Sequence, residues 1–198
     1  MHSTPWYILF CALISCSNHK IIERSDPSGH FIEIFQIDKR TGKKDGFYRK
    51  YHTGQLIEES IYFSDTLHGS RQLFFKSGSI EIEENYQKGL FHGRYKRFFE
   101  DGQLKITGEY ILGEMDGIWK SFYPGGNPRE IVHFSENREN GPFIEYHETG
   151  NIKAEGMYRE GDYEHGILKL YDGNGDLERI MYCLEGFCHT LWDHHVDK

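Results

Sequence analysis

The chain has 198 residues, 31 of them acidic against 23 basic, for a formal net charge of -8. That length fits one domain, and 37% hydrophobic with 15% aromatic residues can bury a core if the apolar positions recur periodically. The negative balance argues against a nucleic-acid backbone as the main partner, because such binders present a basic face.

The first element is the apolar run WYILFCALI at residues 6–14. Its nine residues fall far short of the roughly 20 that a spanning helix needs, so it reads as the core of a signal peptide covering 1–15. Met1 to Pro5 carries no Lys or Arg, and a buried amino-terminal strand or helix stays open as the alternative. Leu13-Ile14-Ser15-Cys16 resembles the bacterial lipobox, whose Cys is acylated and becomes the first residue of the mature protein. The resemblance implies lipidation of Cys16 and a lipid-anchored place in the bacterial envelope, at the outer membrane, on its periplasmic or surface side. Each buried methylene of such a chain contributes about 0.8 kcal/mol, so anchoring needs no spanning helix. Residues 16–29 are polar and are expected to form a flexible tether. If Cys11 leaves with the leader and Cys16 is lipidated, only Cys183 and Cys188 remain, separated by LEGF. A disulfide across a hairpin is expected in an exported protein, with free thiols or half of a metal site as alternatives.

From residue 30 onward the chain repeats. Residues 30–44 look like an incomplete leading copy that caps the array. Over 45–189 the aromatics Tyr62, Tyr86, Tyr110, Phe134, Tyr158 and Tyr182 recur every 24 residues. Gly54, Gly78, Gly102, Gly126 and Gly150 keep the same interval, and the sixth copy has Asn174 beside Gly175. A third series, Gly46, Gly69, Gly93, Gly117, Gly141 and Gly166, opens each unit at spacings of 23, 24, 24, 24 and 25. Five residues after each opening glycine stands Tyr51, Phe74, Phe98, Phe122, Tyr146 or Tyr171. Both aromatic series are the expected repeat core.

Each unit divides into two strand-length pieces. In the second piece Leu104, Ile106, Gly108 and Tyr110 share one parity while Lys105, Thr107 and Glu109 share the other, the alternation of a strand with one packed and one wet face. In the first piece Tyr95 and Phe98 have opposite parity, which a bulge or a sheet apolar on both sides would explain equally well. Asp101-Gly102 and Asn140-Gly141 are turn signals, whereas Gly108 and Gly156 are expected to leave room for neighbouring rings. The fold class is therefore all-β, an elongated and twisted antiparallel sheet of tandem hairpins. Six hairpins give about 12 strands and a sheet roughly 55 to 60 Å long. A hairpin holding Cys183 and Cys188 forms the last cap, and 190–198 is a tail.

The pattern His/Asp-Gly-x-aromatic, then a Gly-x-Leu turn and a closing Tyr, clearest in 92–115 and 116–139, resembles the MORN repeat in its bacterial variant form, found in YwqK-type antitoxins. The resemblance covers about 45–188 and implies a β-hairpin sheet used for interaction or scaffolding, at times near membranes or phospholipids. It implies no activity.

Residues that invite chemistry have structural roles at hand. Asp172-Gly173-Asn174-Gly175-Asp176 begins like a calcium loop, but Leu177 and Cys183 occupy the glycine and glutamate positions and the segment coincides with a repeat turn. His68, His92 and His165 each precede an opening glycine and read as turn residues. Glu81, Glu83 and Glu84 read mainly as a solvated face, and Asp193-His194-His195-Val196-Asp197 as a charged tail. No nucleophile elbow, phosphate loop or amphipathic helix is present, so neither an enzyme, a metal site nor a cofactor is expected. The expected function is a non-catalytic, membrane-anchored surface for an unidentified protein or envelope component. The alternative is a peripheral phospholipid-headgroup binder, which the net charge of -8 disfavours.

Overall fold

A computed structural model of the protein describes residues 18–195, so the leader, Cys16 and the last three residues fall outside the described part. Alternating apolar and polar residues, broken at intervals by turn residues, leave the chain no regular option but short strands. They are β1 (His19–Ser25), β2 (Phe31–Asp38), β3 (Lys44–His52), β4 (Gln55–Phe63), β5 (Thr66–Phe74) and β6 (Ile80–Gln87). The series continues with β7 (Leu90–Phe91), β8 (Gly93–Phe98), β9 (Leu104–Ile111), β10 (Glu114–Phe122) and β11 (Pro128–Ser135). It ends with β12 (Arg138–Tyr146), β13 (Ile152–Tyr158), β14 (Gly166–Tyr171), β15 (Leu177–Leu184) and β16 (Phe187–Asp193). Chain order is also spatial order in one open sheet, with the short β7 paired to β6 and the path passing directly from β6 to β8. The pairing is antiparallel throughout, as the central strands from β3 to β9 illustrate.

Two kinds of turn alternate along the sheet. Between units, two-residue turns such as Lys88-Gly89 and Glu136-Asn137 have positive φ at both residues, the geometry whose twist suits a hairpin. Within a unit, the amide of Phe99 donates to the carbonyl of Gln103 at 2.8 Å and the amide of Gly102 to the carbonyl of Phe99 at 2.9 Å, a three-residue turn closed by glycine.

The opening glycines do something else. Between β11 and β12, Val132 faces Phe143 but Phe134 faces Glu139, so four residues on one strand span two on the other. Asn140-Gly141 is thus a bulge inside a strand and not a turn, with Gly141 at φ +126°. A bulge and a tight turn both need positive φ, which is why the dipeptide pattern could not separate them. His68 and His92 sit at the same bulge position. Each accepts a hydrogen bond at Nδ1 from the next turn, His68 from the amide of Lys88 at 3.4 Å and His92 from that of Leu112 at 3.3 Å.

Two boundaries and one core residue differ from expectation. Residues 19–25, expected in the tether, form β1 and pair with β2 in unbroken register from His19 with Asp38 to Ser25 with Ile32. Lys20, Glu23 and Arg24 gave that segment its linker composition, and charges on an outer strand are what protects a sheet edge. At the other end β16 takes in residues 190–193 of the expected tail. Finally, Tyr182 is not in the core. One extra residue between Tyr158 and Gly166 shifts the frame, so Gly166 faces Cys183 and Tyr182 turns to the other face, 40% exposed.

Cys183 and Cys188 face each other across β15 and β16 and are disulfide-bonded, with Cα atoms 4.0 Å apart. Closing so short a loop restricts the unfolded chain by about 2 kcal/mol. Reduction is expected to speed amide hydrogen exchange in β16 and leave β3 to β12 unchanged; equal exchange before and after reduction would show that the staple adds nothing.

Candidate interaction surface

The sealed face is built from a residue two places after each opening glycine: Tyr48, Arg71, Tyr95, Trp119, Phe143 and Leu168. Each faces a partner on the next strand, respectively Ser60, Glu84, Gly108, Val132, Gly156 and Met181. In three of the six pairs the partner is small, namely Ser60, Gly108 or Gly156. A Cβ on Gly108 would meet the Trp119 ring at 2.1 Å, and one on Gly156 would meet Phe143 at 2.9 Å. The expected ring clearances are therefore real. Trp119 packs against Tyr95, Tyr110 and Phe134 with ring centroids 5.7, 5.1 and 6.1 Å away. The series Tyr62, Tyr86, Tyr110, Phe134 and Tyr158 lies on this face, as the ring contacts of Tyr48 with Tyr62 and of Phe143 with Tyr158 show.

Tyr51, Phe74, Phe98, Phe122, Tyr146 and Tyr171 stand three residues beyond the sealed row, so strand alternation puts them on the opposite face. All six are half-buried. The opposed parity of Tyr95 and Phe98 therefore reflects a sheet apolar on both sides, and a bulge also follows it, since Arg97 faces Ile106 while Phe98 faces Leu104.

The second unit breaks the aromatic row with charge. Arg71 Nε lies 2.9 Å from Glu58 and its Nη1 3.3 Å from Glu84, while the Tyr86 hydroxyl donates to Glu84 at 2.9 Å. Glu84, expected on the wet side, is buried here because its register places it opposite Arg71. Burial and the adjacent carboxylate push the Tyr86 hydroxyl up to about 12.

A further series fills the gaps between tyrosines, two residues before each opening glycine: Lys44, Leu67, Phe91, Met115, Glu139 and Glu164. Phe91 stacks between Tyr86 and Tyr110 at 4.7 and 4.9 Å. Burial, then the charges of Glu130, Asp162 and Glu164, raise the Glu139 carboxyl above the usual range. A raised folded value means stability that is present at low pH and lost as pH rises through it. Glu139→Gln is accordingly expected to melt above the parent at pH 7 and with it at pH 4, measured by circular dichroism.

Along the edge that carries the three-residue turns, neighbouring units are clipped together. Gln55, Ser79, Gln103, Asn127 and Asn151 follow the turn glycines at 24-residue intervals. The side-chain amide of Gln55 donates to the Phe75 carbonyl at 3.0 Å, that of Asn127 to Glu148 at 2.9 Å and that of Asn151 to Gly173 at 2.9 Å. Sequence reasoning missed this series although its period is as strict as that of the glycines. Asp172 caps the corresponding sixth turn, accepting from the amides of Asn174 and Asp176 at 2.9 Å each. Those bonds, that of Asp176 foremost, hold its carboxyl below the usual range.

The open face differs between the two halves of the sheet. Over β3 to β8 it carries ion pairs, such as Arg49 with Glu59 at 2.7 Å and Lys96 with Glu83 at 3.2 Å, beside the facing apolar pair Phe47 and Ile61 on β3 and β4. Over β12 to β15 the residue after each opening glycine and its cross-strand neighbour make an apolar row, whereas Ile118 on β10 faces His133. Met157 and Ile167 in that row are 51 and 47% exposed, and Pro142 faces Met157 while Ile167 faces Tyr182. A shallow groove lies between Pro142, Ile144, Met157 and Ile167, flanked by Glu155 and Lys169. At the free edge Phe187 is 83% exposed.

A one-layer sheet of copied hairpins, sealed on one face and apolar in part of the other, defines a tandem-repeat protein with a binding or scaffolding architecture. Four successive segments, residues 67–88, 91–111, 115–136 and 139–160, match the family model of the MORN repeat variant. In these four units the opening glycine and its facing aromatic are 17 residues apart, whereas Gly46 and Tyr62, or Gly166 and Tyr182, are 16 apart. The flanking copies depart from the pattern at the positions where the structure shows a shorter turn or a shifted frame. No curated protein matches the chain.

Proposed function

We propose that this protein is a non-catalytic scaffold of the bacterial envelope, held on a membrane through an acylated Cys16, that docks another envelope protein on the open face of β12 to β15. The observation that supports docking is the apolar groove between Pro142, Ile144, Met157 and Ile167, because isolated surface hydrophobics are ordinary while a contiguous patch is a recognition feature. The Glu155 and Lys169 ion pair, 2.8 Å long, supplies a polar rim. Met157→Glu combined with Ile167→Glu is expected to leave the melting temperature within a degree or two and to abolish crosslinking to the partner in intact cells. Unchanged crosslinks would reject this face. For the anchor, metabolic fatty-acid labelling should mark the full chain and miss Cys16→Ala; label that persists in the variant sinks that part.

A further inference from the structure

The sealed face holds a charged group in surroundings that suit a different one. Lys44 occupies the gap-filling position that Leu67, Phe91 and Met115 take in the next three units. Its Nζ lies 4.4 Å from the Tyr48 ring centroid, 4.9 Å from Tyr62 and 5.1 Å from Phe35. Phe35 and Tyr48 are almost fully buried. The Tyr48 hydroxyl donates to Glu33 at 2.8 Å, which fixes that wall of the enclosure and adds negative charge behind it. Three ring faces converge on this cation and make an aromatic cage, whose Phe35 wall also carries the Arg24 guanidinium 5.5 Å from its centroid.

The backbone of Lys44 is pinned, its amide donating to Asp65 Oδ1 at 2.7 Å and its carbonyl accepting from the Asp65 amide at 2.9 Å. Only the side chain can leave. A primary ammonium brings three N–H donors, for which ring faces are poor acceptors. A trimethylammonium group brings none, so it gains the same cation–π attraction without an unmet hydrogen bond.

We propose that Phe35, Tyr48 and Tyr62 form a binding site for a trimethylammonium compound of the choline type, and that Lys44 occupies it in cis as a competing plug. The site is independent of the open-face row, because it lies at the other end of the sheet and on the other face. It also goes beyond the scaffold reading, and its outcome does not depend on the protein docked there.

The test is titration of the full chain with choline chloride, followed by tyrosine fluorescence and thermal melting. Lys44→Ala is expected to bind choline at least tenfold more tightly than the parent, and Lys44→Met, which fills the cage with an apolar plug, to bind none. Adding Tyr48→Leu to Lys44→Ala should remove the binding. If Lys44→Ala is unfolded alone, choline must restore its melting transition. The proposal is overturned if Lys44→Ala neither binds choline nor is rescued by it, if the Tyr48→Leu variant binds equally well, or if the parent binds as tightly as Lys44→Ala. Phosphatidylcholine against phosphatidylglycerol vesicles distinguishes the sources: sedimentation of Lys44→Ala with the former alone assigns the group to a lipid headgroup, and binding of free choline alone assigns it to a soluble compound.

Discussion

Gly108→Ala is expected to lower the melting temperature by about 6 to 12 °C, the equivalent of roughly 3 kcal/mol in a protein of this size. The reason is purely steric. Gly108 has no positive φ, so alanine suits its backbone, but the new Cβ would lie 2.1 to 2.6 Å from three atoms of the Trp119 ring. That ring has nowhere to go, since Tyr95, Tyr110 and Phe134 enclose it and Val132 faces it from the next strand. Displacing it would unseat the largest side chain of the row, in a sheet that has no second layer among the described residues to compensate. Gly156→Ala should cost less, because its nearest clearance is 2.9 Å to the edge of Phe143. Gly173→Ala is the control, with nothing within 4 Å of its Cβ, and is expected within about 0.5 kcal/mol of the parent. Thermal unfolding of the three variants checks the order, and a Gly108→Ala protein that melts with the parent would mean the Trp119 ring is not seated there.

The period and strand alternation were legible because both come from backbone geometry that recurs in every copy. Tyr110 and its 24-residue relatives announced a packed face, and Gly108 announced a ring above it, since a glycine inside an apolar strand needs a reason. The sealed row itself was not legible. Tyr48, Arg71, Tyr95, Trp119, Phe143 and Leu168 share a place in the unit and no chemistry, so a search for like residues at like spacing passes over them. Three of them have a small partner across the strand pair and Arg71 a complementary one, which only the register reveals. The opening glycines were misread for a related reason. Positive φ marks turn and bulge alike, and a bulge of two extra residues leaves the strand's facing parity intact, so alternation does not reveal it. Tyr182 failed through one inserted residue, the smallest change that inverts a strand. For the docking row the signal existed in the sequence as Pro142 and Ile167 after successive opening glycines, but its meaning depended on knowing which face they left uncovered.

Replacing Arg71 is the second large effect. Arg71→Met is expected to destabilise the protein by about 3 to 5 kcal/mol, because it strips the partner from a buried carboxylate at Glu84 and from Glu58 beside it. The figure belongs to breaking the pair, and not to the net value of the ion pair, which burial makes small. A double variant separates the two. Arg71→Met with Glu84→Gln removes the charge together with its partner and should recover at least half of the loss in urea unfolding. A double variant as unstable as Arg71→Met alone would place the cost in lost packing, because the arginine stem also fills the gap between Ser60 and Glu84. If the charge dominates, the arrangement explains why the second unit departs from the aromatic row. A slip of one residue in β5 would carry Arg71 to the open face and strand Glu58 and Glu84 without it. An aromatic at that position, facing rows of other aromatics, would tolerate such a slip far better. In a sheet whose copies resemble one another every 24 residues, mispaired hairpins are the nearest competing folds, and one charged triad that fits in a single register discriminates against them.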